Sequence, residues 1–274
     1  MSISRSSSSR SSSSSALTPP AVVSRLRAAG CVFAEDEARL LISTAGTSAE
    51  LAAMVDRRAA GLPLEHVLGW AEFCGLRVAV DAEVFVPRRR TEFLVRRAAG
   101  LTGPSAVVVD LCCGSGAVGV ALAAALESAE LYASDVDPAA VRCARRNVGA
   151  AGGQVFEGDL FEPLPAALRG RVDVLAANVP YVPTEEVEFL PPEARDHEPR
   201  VALDGGADGL DVLRRVAAQA PQWLAPGGSL LVETSERQAP YAVEAFARSG
   251  LVPEVAVSEE LWATVVIGTR PVDA

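Results

Sequence analysis

The sequence predicts an α/β protein, in which a small helical unit precedes a doubly wound, mostly parallel sheet. Three observations carry that expectation. From Gly100 onward, short apolar runs alternate with segments of helical length, the pattern of parallel strands joined by crossover helices. The first of those runs leads directly into Gly114-Ser115-Gly116-Ala117-Val118-Gly119, a glycine turn between strand and helix. Ahead of Gly61 and Pro63 the apolar residues instead recur at helical spacing.

The 274 residues suffice for one catalytic domain and a smaller companion. With 49% hydrophobic but only 5% aromatic residues, the core must be filled by Ala, Val and Leu. The apolar runs are short, so no membrane span is expected. A net charge of -10 lacks the broad basic footprint that phosphate backbones require, which weighs against nucleic acid as a partner. The five cysteines form no C-x-x-C pair and only His66 and His197 accompany them. No metal site is expected, and free thiols suit a reducing cytoplasm. Residues 1–17 are mostly Ser with a few Arg and contain no apolar signal region. They read as a disordered tail.

Residues 18–72 read as the helical unit. Thr18-Pro19-Pro20 is a start signal. Val22, Val23 and Leu26 and then Leu40 and Leu41 keep helical spacing, and Ser48 precedes a stripe through Val55. Residues 73–92 read as a β-hairpin linker, because Leu76, Val78, Val80, Val84 and Val86 alternate at period two around Asp81-Ala82-Glu83. Residues 93–274 form the catalytic domain. It opens with a helix from Phe93 to Ala99, and its strands are expected at Ala106–Val109, Leu131–Ser134, Gln154–Phe156, Val172–Ala177 and Ser229–Val232. Helices are expected over Ala117–Leu126, Pro138–Val148 and Leu210–Leu224, the last stopped by Pro226-Gly227-Gly228. Val255–Val257 and Ala263–Ile267 have no helix between them and should pair as an edge hairpin.

Gly114, Gly116 and Gly119 match the dinucleotide fingerprint G-x-G-x-x-G, and Asp135 lies near the offset of its ribose-binding acid. Such a turn can also do no more than pack a helix on a strand. Asp110 favours a different ligand. A carboxylate at the strand's mouth repels a pyrophosphate but suits the α-ammonium of S-adenosylmethionine. On that reading Asp135 accepts from the ribose hydroxyls, Asp159 offers a carboxylate to the adenine amine and Leu160 with Phe161 walls the ring. Asn178-Val179-Pro180-Tyr181 follows the fourth strand. The Asn178 side-chain oxygen and the Val179 carbonyl are two acceptors that can hold one NH₂ group, Pro180 stiffens the turn and Tyr181 can stack on a planar group.

These residues, and the flanks Gly61–Gly69, Glu72-Phe73, Val86-Pro87-Arg88, Thr91-Glu92, His197-Glu198-Pro199, Ala202-Leu203, Gly205-Gly206, Gly209-Leu210-Asp211, Glu233 and Gln238, resemble one family. It is the protein-(glutamine) N-methyltransferases of the HemK/PrmC type, which methylate the glutamine amide in the Gly-Gly-Gln loop of peptide-chain release factors. The resemblance spans about residues 55–270. It implies a Rossmann-like, seven-stranded S-adenosylmethionine-dependent methyltransferase fold with a helical substrate-recognition domain at the amino terminus, acting in the cytoplasm on a release factor or a related protein. It also implies that Asp110, Cys112, Gly114, Ser115, Gly116, Asp135, Asp159, Leu160 and Asn178 hold the cofactor, and that Asn178, Val179, Pro180 and Tyr181 grip the glutamine. Cys112 replaces the first glycine of the usual loop, where a small residue is expected to suffice, and Val179 replaces a proline, which loosens the backbone. Two other functions stay open: methylation of an exocyclic amine of adenine or guanine in nucleic acid, and a non-catalytic relative that binds cofactor as an interaction module. Arg88–Arg90 is the only local basic run beside the site and reads as a solvated or acid-paired face.

Overall fold

The computed structural model describes residues 17–272, and the expected Ser-rich tail lies, but for Leu17, outside them. The chain divides into two compact units at Leu68/Gly69.

The first unit consists of α1 (Pro19–Ala28), α2 (Ala34–Thr44), α3 (Ser48–Ala59) and the short α4 (Leu64–Leu68). Val22, Leu26, Leu41, Leu51, Met54, Val55 and Val67 meet in its core, as helical spacing requires. Thr47 caps α3. Its hydroxyl accepts from the Glu50 amide at 3.1 Å, which satisfies one of the free donors of the first turn. A buried ion pair, Arg58 Nε to Glu37 Oε2 at 2.6 Å, ties α3 to α2.

The second unit begins with a hairpin of β1 (Trp70–Phe73) and β2 (Leu76–Ala79). It starts three residues earlier than the sequence pattern places it, and its turn is Cys74-Gly75, both with positive φ. Left-handed backbone at both turn positions matches the twist of a tight hairpin. Val80, Val84 and Val86 do point inward, buried at 0%, 0% and 3% exposure, but they lie in an extended connector and pack with Ala71 and Cys143. Burial rather than strand pairing therefore explains their period-two spacing.

After α5 (Glu92–Leu101) the strand–helix alternation appears as expected: β3 (Ser105–Leu111), α6 (Ala117–Ala125), β4 (Ser128–Asp135), α7 (Pro138–Ala150), β5 (Gln154–Glu157) and β6 (Val172–Ala177). The short α8 (Pro192–His197), α9 (Asp211–Trp223), β7 (Leu224–Thr234), α10 (Ala239–Arg248), β8 (Val252–Ser258) and β9 (Ala263–Thr269) follow. The sheet order is β5-β4-β3-β6-β7-β9-β8, with β3 to β7 parallel and β9 and β8 antiparallel at one edge. Pro226-Gly227-Gly228 does not stop α9, which ends at Trp223. These residues lie in β7, where its pairing with β6 is irregular between Val172 and Val174. α10 has no counterpart among the expected helices, although Ala239, Ala242 and Phe246 form a buried stripe at helical spacing.

The order places the site. From β3 the chain winds outward through β4 to β5, then returns to the opposite side of β3 with β6. The crevice between the carboxyl ends of β3 and β6 is the switch point where open α/β sheets bind ligands. Leu111 pairs with Ala177 there, so Cys112 and Asn178 leave the sheet side by side.

Candidate active site

A cleft of about 870 Å³ opens at this switch point, within the ~300–1,000 Å³ range of small-molecule sites. Its walls bring together Asp110, Cys112, Gly114, Ser115, Asp135, Asp159 and Leu160 on one side and Asn178, Val179, Pro180 and Tyr181 on the other. Gly116 is the exception among the sequence candidates. It is the left-handed N-cap of α6, and an added Cβ would lie 2.6 Å from Val148 and 3.4 Å from Ala144 of α7. The position requires glycine so that helix and loop can pack, and it does not line the cleft.

Asp110 is the penultimate residue of β3, buried at 1% exposure, and its Oδ2 accepts from the Gly119 amide at 2.8 Å. The N-terminal turn of α6 thus orients the carboxylate. Burial pushes its pKa up to about 8, against the opposing pull of that hydrogen bond, and Asp135 adds repulsion. So buried, Asp110 is an acid that ionises readily only beside a cation. Asp135 ends β4 with Oδ2 on the Gly114 amide at 2.8 Å and Oδ1 on the Asp137 amide at 2.9 Å. It fixes the glycine loop, and burial raises its pKa as well. Asp135 also lines the cleft. Cys112 adopts a φ of +52°, a left-handed conformation that favours glycine. The position thus demands a residue that tolerates left-handed backbone, not merely a small side chain. Its thiol is pushed well up by burial and by the neighbouring carboxylates, so it is a poor nucleophile.

Asp159 is paired with Arg215, which also lines the cleft, so it presents its carboxylate to a ligand only by sharing it. Leu160 holds a φ of +51°, and its carbonyl accepts from Ser134 Oγ at 2.7 Å. Ser134 is therefore a support that the sequence did not single out. Another is Asn147 of α7, whose Nδ2 donates to Ser115 O at 2.8 Å and to Ala79 O at 2.9 Å. It ties the glycine loop to the end of β2.

On the opposite wall, the Asn178 side chain makes no protein hydrogen bond among the described residues, so its amide is available to a ligand. Val179 is buried at 1% exposure and Tyr181 is half-buried. The backbone of Tyr181 is held by Gln238, whose Nε2 donates to its carbonyl at 2.9 Å and to Asp208 O at 3.0 Å. Gly209 makes this possible, since a Cβ there would come within 2.2 Å of the same carbonyl. The Tyr181 hydroxyl accepts from Arg90 and donates to Glu233 Oε1 at 3.2 Å. Burial and the Glu233 carboxylate push its pKa up to about 12, so it remains a phenol.

Arg88 and Arg90 are acid-paired, with Glu198 and Glu233 respectively. Thr91 lines the cleft, is 2% exposed, and its hydroxyl has no partner among the described residues. An orphaned buried hydroxyl is costly unless a ligand satisfies it. With the Asp110 carboxylate and the glycine loop it forms a donor and acceptor set that fits the amino-acid end of a zwitterionic ligand.

Comparison with known proteins agrees with this geometry. The chain is 44% identical over 206 residues to a release factor glutamine methyltransferase of Geobacter sulfurreducens, covering 73% of this chain and 72% of that one. The chain belongs to the release factor glutamine methyltransferase family. Proteins of the same description from Streptomyces coelicolor and Mycolicibacterium smegmatis are 38% and 39% identical, covering 77% and 76% of this chain and 72% and 74% of theirs. The profile of the family described as Methyltransferase small domain matches residues 88–190, which run from the connector through β6 and its loop. A crystal structure of a methyltransferase from Pyrococcus furiosus superposes with a TM-score of 0.55 at 17% identity, over 72% of this chain and 90% of that one. It shares the Rossmann-like α/β fold. As a member of the glutamine methyltransferase family, this chain is a methyltransferase. No helix among the described residues is long and apolar enough to cross a membrane.

Proposed function

We propose that this enzyme uses S-adenosylmethionine to methylate the side-chain amide nitrogen of a glutamine in a protein, the Gly-Gly-Gln loop of a peptide-chain release factor. The observation that carries the reading is the shared cleft. The Asp110 and glycine-loop wall and the Asn178–Tyr181 wall leave adjacent strands at the switch point and face one cavity. A relative's substrate supplies the identity of the acceptor, and the open Asn178 amide supplies the chemistry.

Asp110 would hold the ammonium of the donor, Thr91 a polar atom at its amino-acid end, and Asp135 the ribose hydroxyls. When bound, such a donor supplies a methyl carbon activated by a sulfonium leaving group. An amide nitrogen is a weak nucleophile because its lone pair is delocalised, so the protein's task is alignment. The Asn178 oxygen and the Val179 carbonyl accept the two N–H bonds of the glutamine amide and fix its plane. Both acceptors favour the positive charge that grows on nitrogen as it is alkylated. The alkylated amide is acidic enough to lose its proton to water, so no strong base is needed. The half-buried, phenolic Tyr181 walls the acceptor's plane, and the helical unit serves recognition of the protein substrate in the cytoplasm.

The test is transfer from methyl-labelled S-adenosylmethionine to a purified release factor, with the label mapped by mass spectrometry. Label on the Gly-Gly-Gln glutamine is expected, and a release factor with that glutamine replaced should remain unlabelled. Label that appears instead in nuclease-sensitive material of a cell extract would move the acceptor to a base amine.

A further inference from the structure

Tyr181 is fixed from outside its own loop. Arg90 Nε donates to Glu233 Oε1 at 2.8 Å, a second guanidinium nitrogen donates to the Tyr181 hydroxyl, and that hydroxyl donates to the same Glu233 oxygen. The guanidinium carbon also stands 5.8 Å from the Tyr181 ring centroid. The Glu233 side chain is 3% exposed while that of Arg90 is 45% exposed. The carboxylate is thus an anchor in the sheet, on β7, and the arginine is the strap laid across it from the connector before α5. The three residues are far apart in sequence, at 90, 181 and 233, and only the fold brings them together.

We propose that Arg90 and Glu233 are positioning residues for methyl transfer, which act by locking the Tyr181 ring and, through it, the acceptor loop. The proposal rests on the reading of Asn178–Tyr181 as the acceptor's clamp and adds residues which that reading does not contain. The physical need is visible in the loop. Val179 carries no ring to fix its φ, so its backbone has more freedom than a proline would allow. The loop's amino end is set by β6 register and its Tyr181 carbonyl by Gln238, which leaves the ring as the element still free to turn. Two charge-assisted contacts remove that freedom. The guanidinium fork suits the task because it reaches a carboxylate and a phenol at once, which an ammonium cannot do with the same geometry.

The deciding experiment compares Arg90→Ala, Tyr181→Phe and the double variant with the wild type. Tyr181→Phe removes only the hydroxyl and leaves the Arg90–Glu233 pair in place, so it guards against a folding artefact. Each single variant is expected to lose ~10-fold in kcat, because small losses of alignment are expensive in such reactions, while the donor KM stays within about twofold. The double variant should be no slower than the slower single, as residues acting through one another are non-additive. Arg90→Lys should recover only part of the loss. A wild-type kcat in either single variant, or effects that multiply in the double, would overturn the proposal. Failure of the underlying reading looks different: the wild type would then label an acceptor other than glutamine, and the same variant series on that acceptor would still decide the lock.

Discussion

The two walls of the cleft are built on opposite plans. On the donor wall the two buried carboxylates are fixed by backbone amides: Asp110 by the Gly119 amide, and Asp135 by the amides of Gly114 and Asp137. On the acceptor wall Asn178 makes no protein hydrogen bond among the described residues, and Tyr181 is held by side chains from distant elements, Arg90, Glu233 and Gln238. One wall is preset by strand and turn geometry. The other depends on the assembled fold and keeps the Asn178 side-chain amide open to a ligand. Substitutions on the acceptor wall should therefore act on turnover, and those on the donor wall on affinity and stability.

The largest expected effect is on the acceptor wall. On the proposed clamp for the acceptor amide, Asn178→Ala should cut kcat by ~10²-fold or more, with a smaller change in donor affinity. Steady-state methylation and equilibrium donor binding separate the two. A variant that methylates at the wild-type rate would remove Asn178 from the mechanism.

That contrast also explains which parts could be read from the sequence. Asp110, Gly114 and Asp135 were legible because strand, turn and carboxylate sit at short fixed spacings. So were the parallel strands, whose continuous Val and Ala runs have few other uses. Arg90 was visible only as part of a basic run expected to be solvated or acid-paired. The pairing is now seen, but its function needs β7 beside the connector, a contact across 143 positions that no local pattern encodes. The hairpin was misplaced because Val80, Val84 and Val86 mimic a strand through burial alone. The motif does not say which of its glycines lines the cleft and which packs on α7, as Gly116 does.

The donor wall should show the next largest effect. Asp110→Asn keeps an acceptor for the Gly119 amide but removes the anion, and donor affinity should fall ~10- to 100-fold, the range of a lost charge-assisted hydrogen bond. The same residue predicts two pH trends. Burial pushes the Asp110 carboxyl up to about 8 in the folded protein, against about 3.9 in an unfolded chain. Between these values the fold holds a proton that the unfolded state has lost, so apo stability falls as pH rises through the window. A cationic ligand favours the ionised form, so donor binding should release a proton below pH 8 and tighten with pH, by up to ~10-fold per unit. Calorimetry in buffers of different ionisation enthalpy measures that proton. Asp110→Asn should abolish the release and flatten the apo melting-temperature profile over the same window. Proton release that persists in the variant would assign the titration to another group.

Cys112 offers the smallest effect and a direct test of local backbone control. Its φ of +52° costs a non-glycine residue about 1 kcal/mol or more, and it persists because the surrounding loop enforces it. Cys112→Gly relieves that strain but adds unfolded-state entropy of about the same size, so stability should change by less than about 1 kcal/mol and donor binding should survive. Cys112→Val puts a β-branched side chain in the same conformation and should destabilise the fold by roughly 1–3 kcal/mol. The raised thiol pKa gives cysteine no chemical role there, so turnover at saturating donor should be equal in Cys112→Gly and the wild type. Denaturant midpoints and kcat measured on the two variants separate a backbone requirement from a need for sulfur. If glycine lost activity while valine kept it, the side chain rather than the turn would be what the donor wall requires at that position.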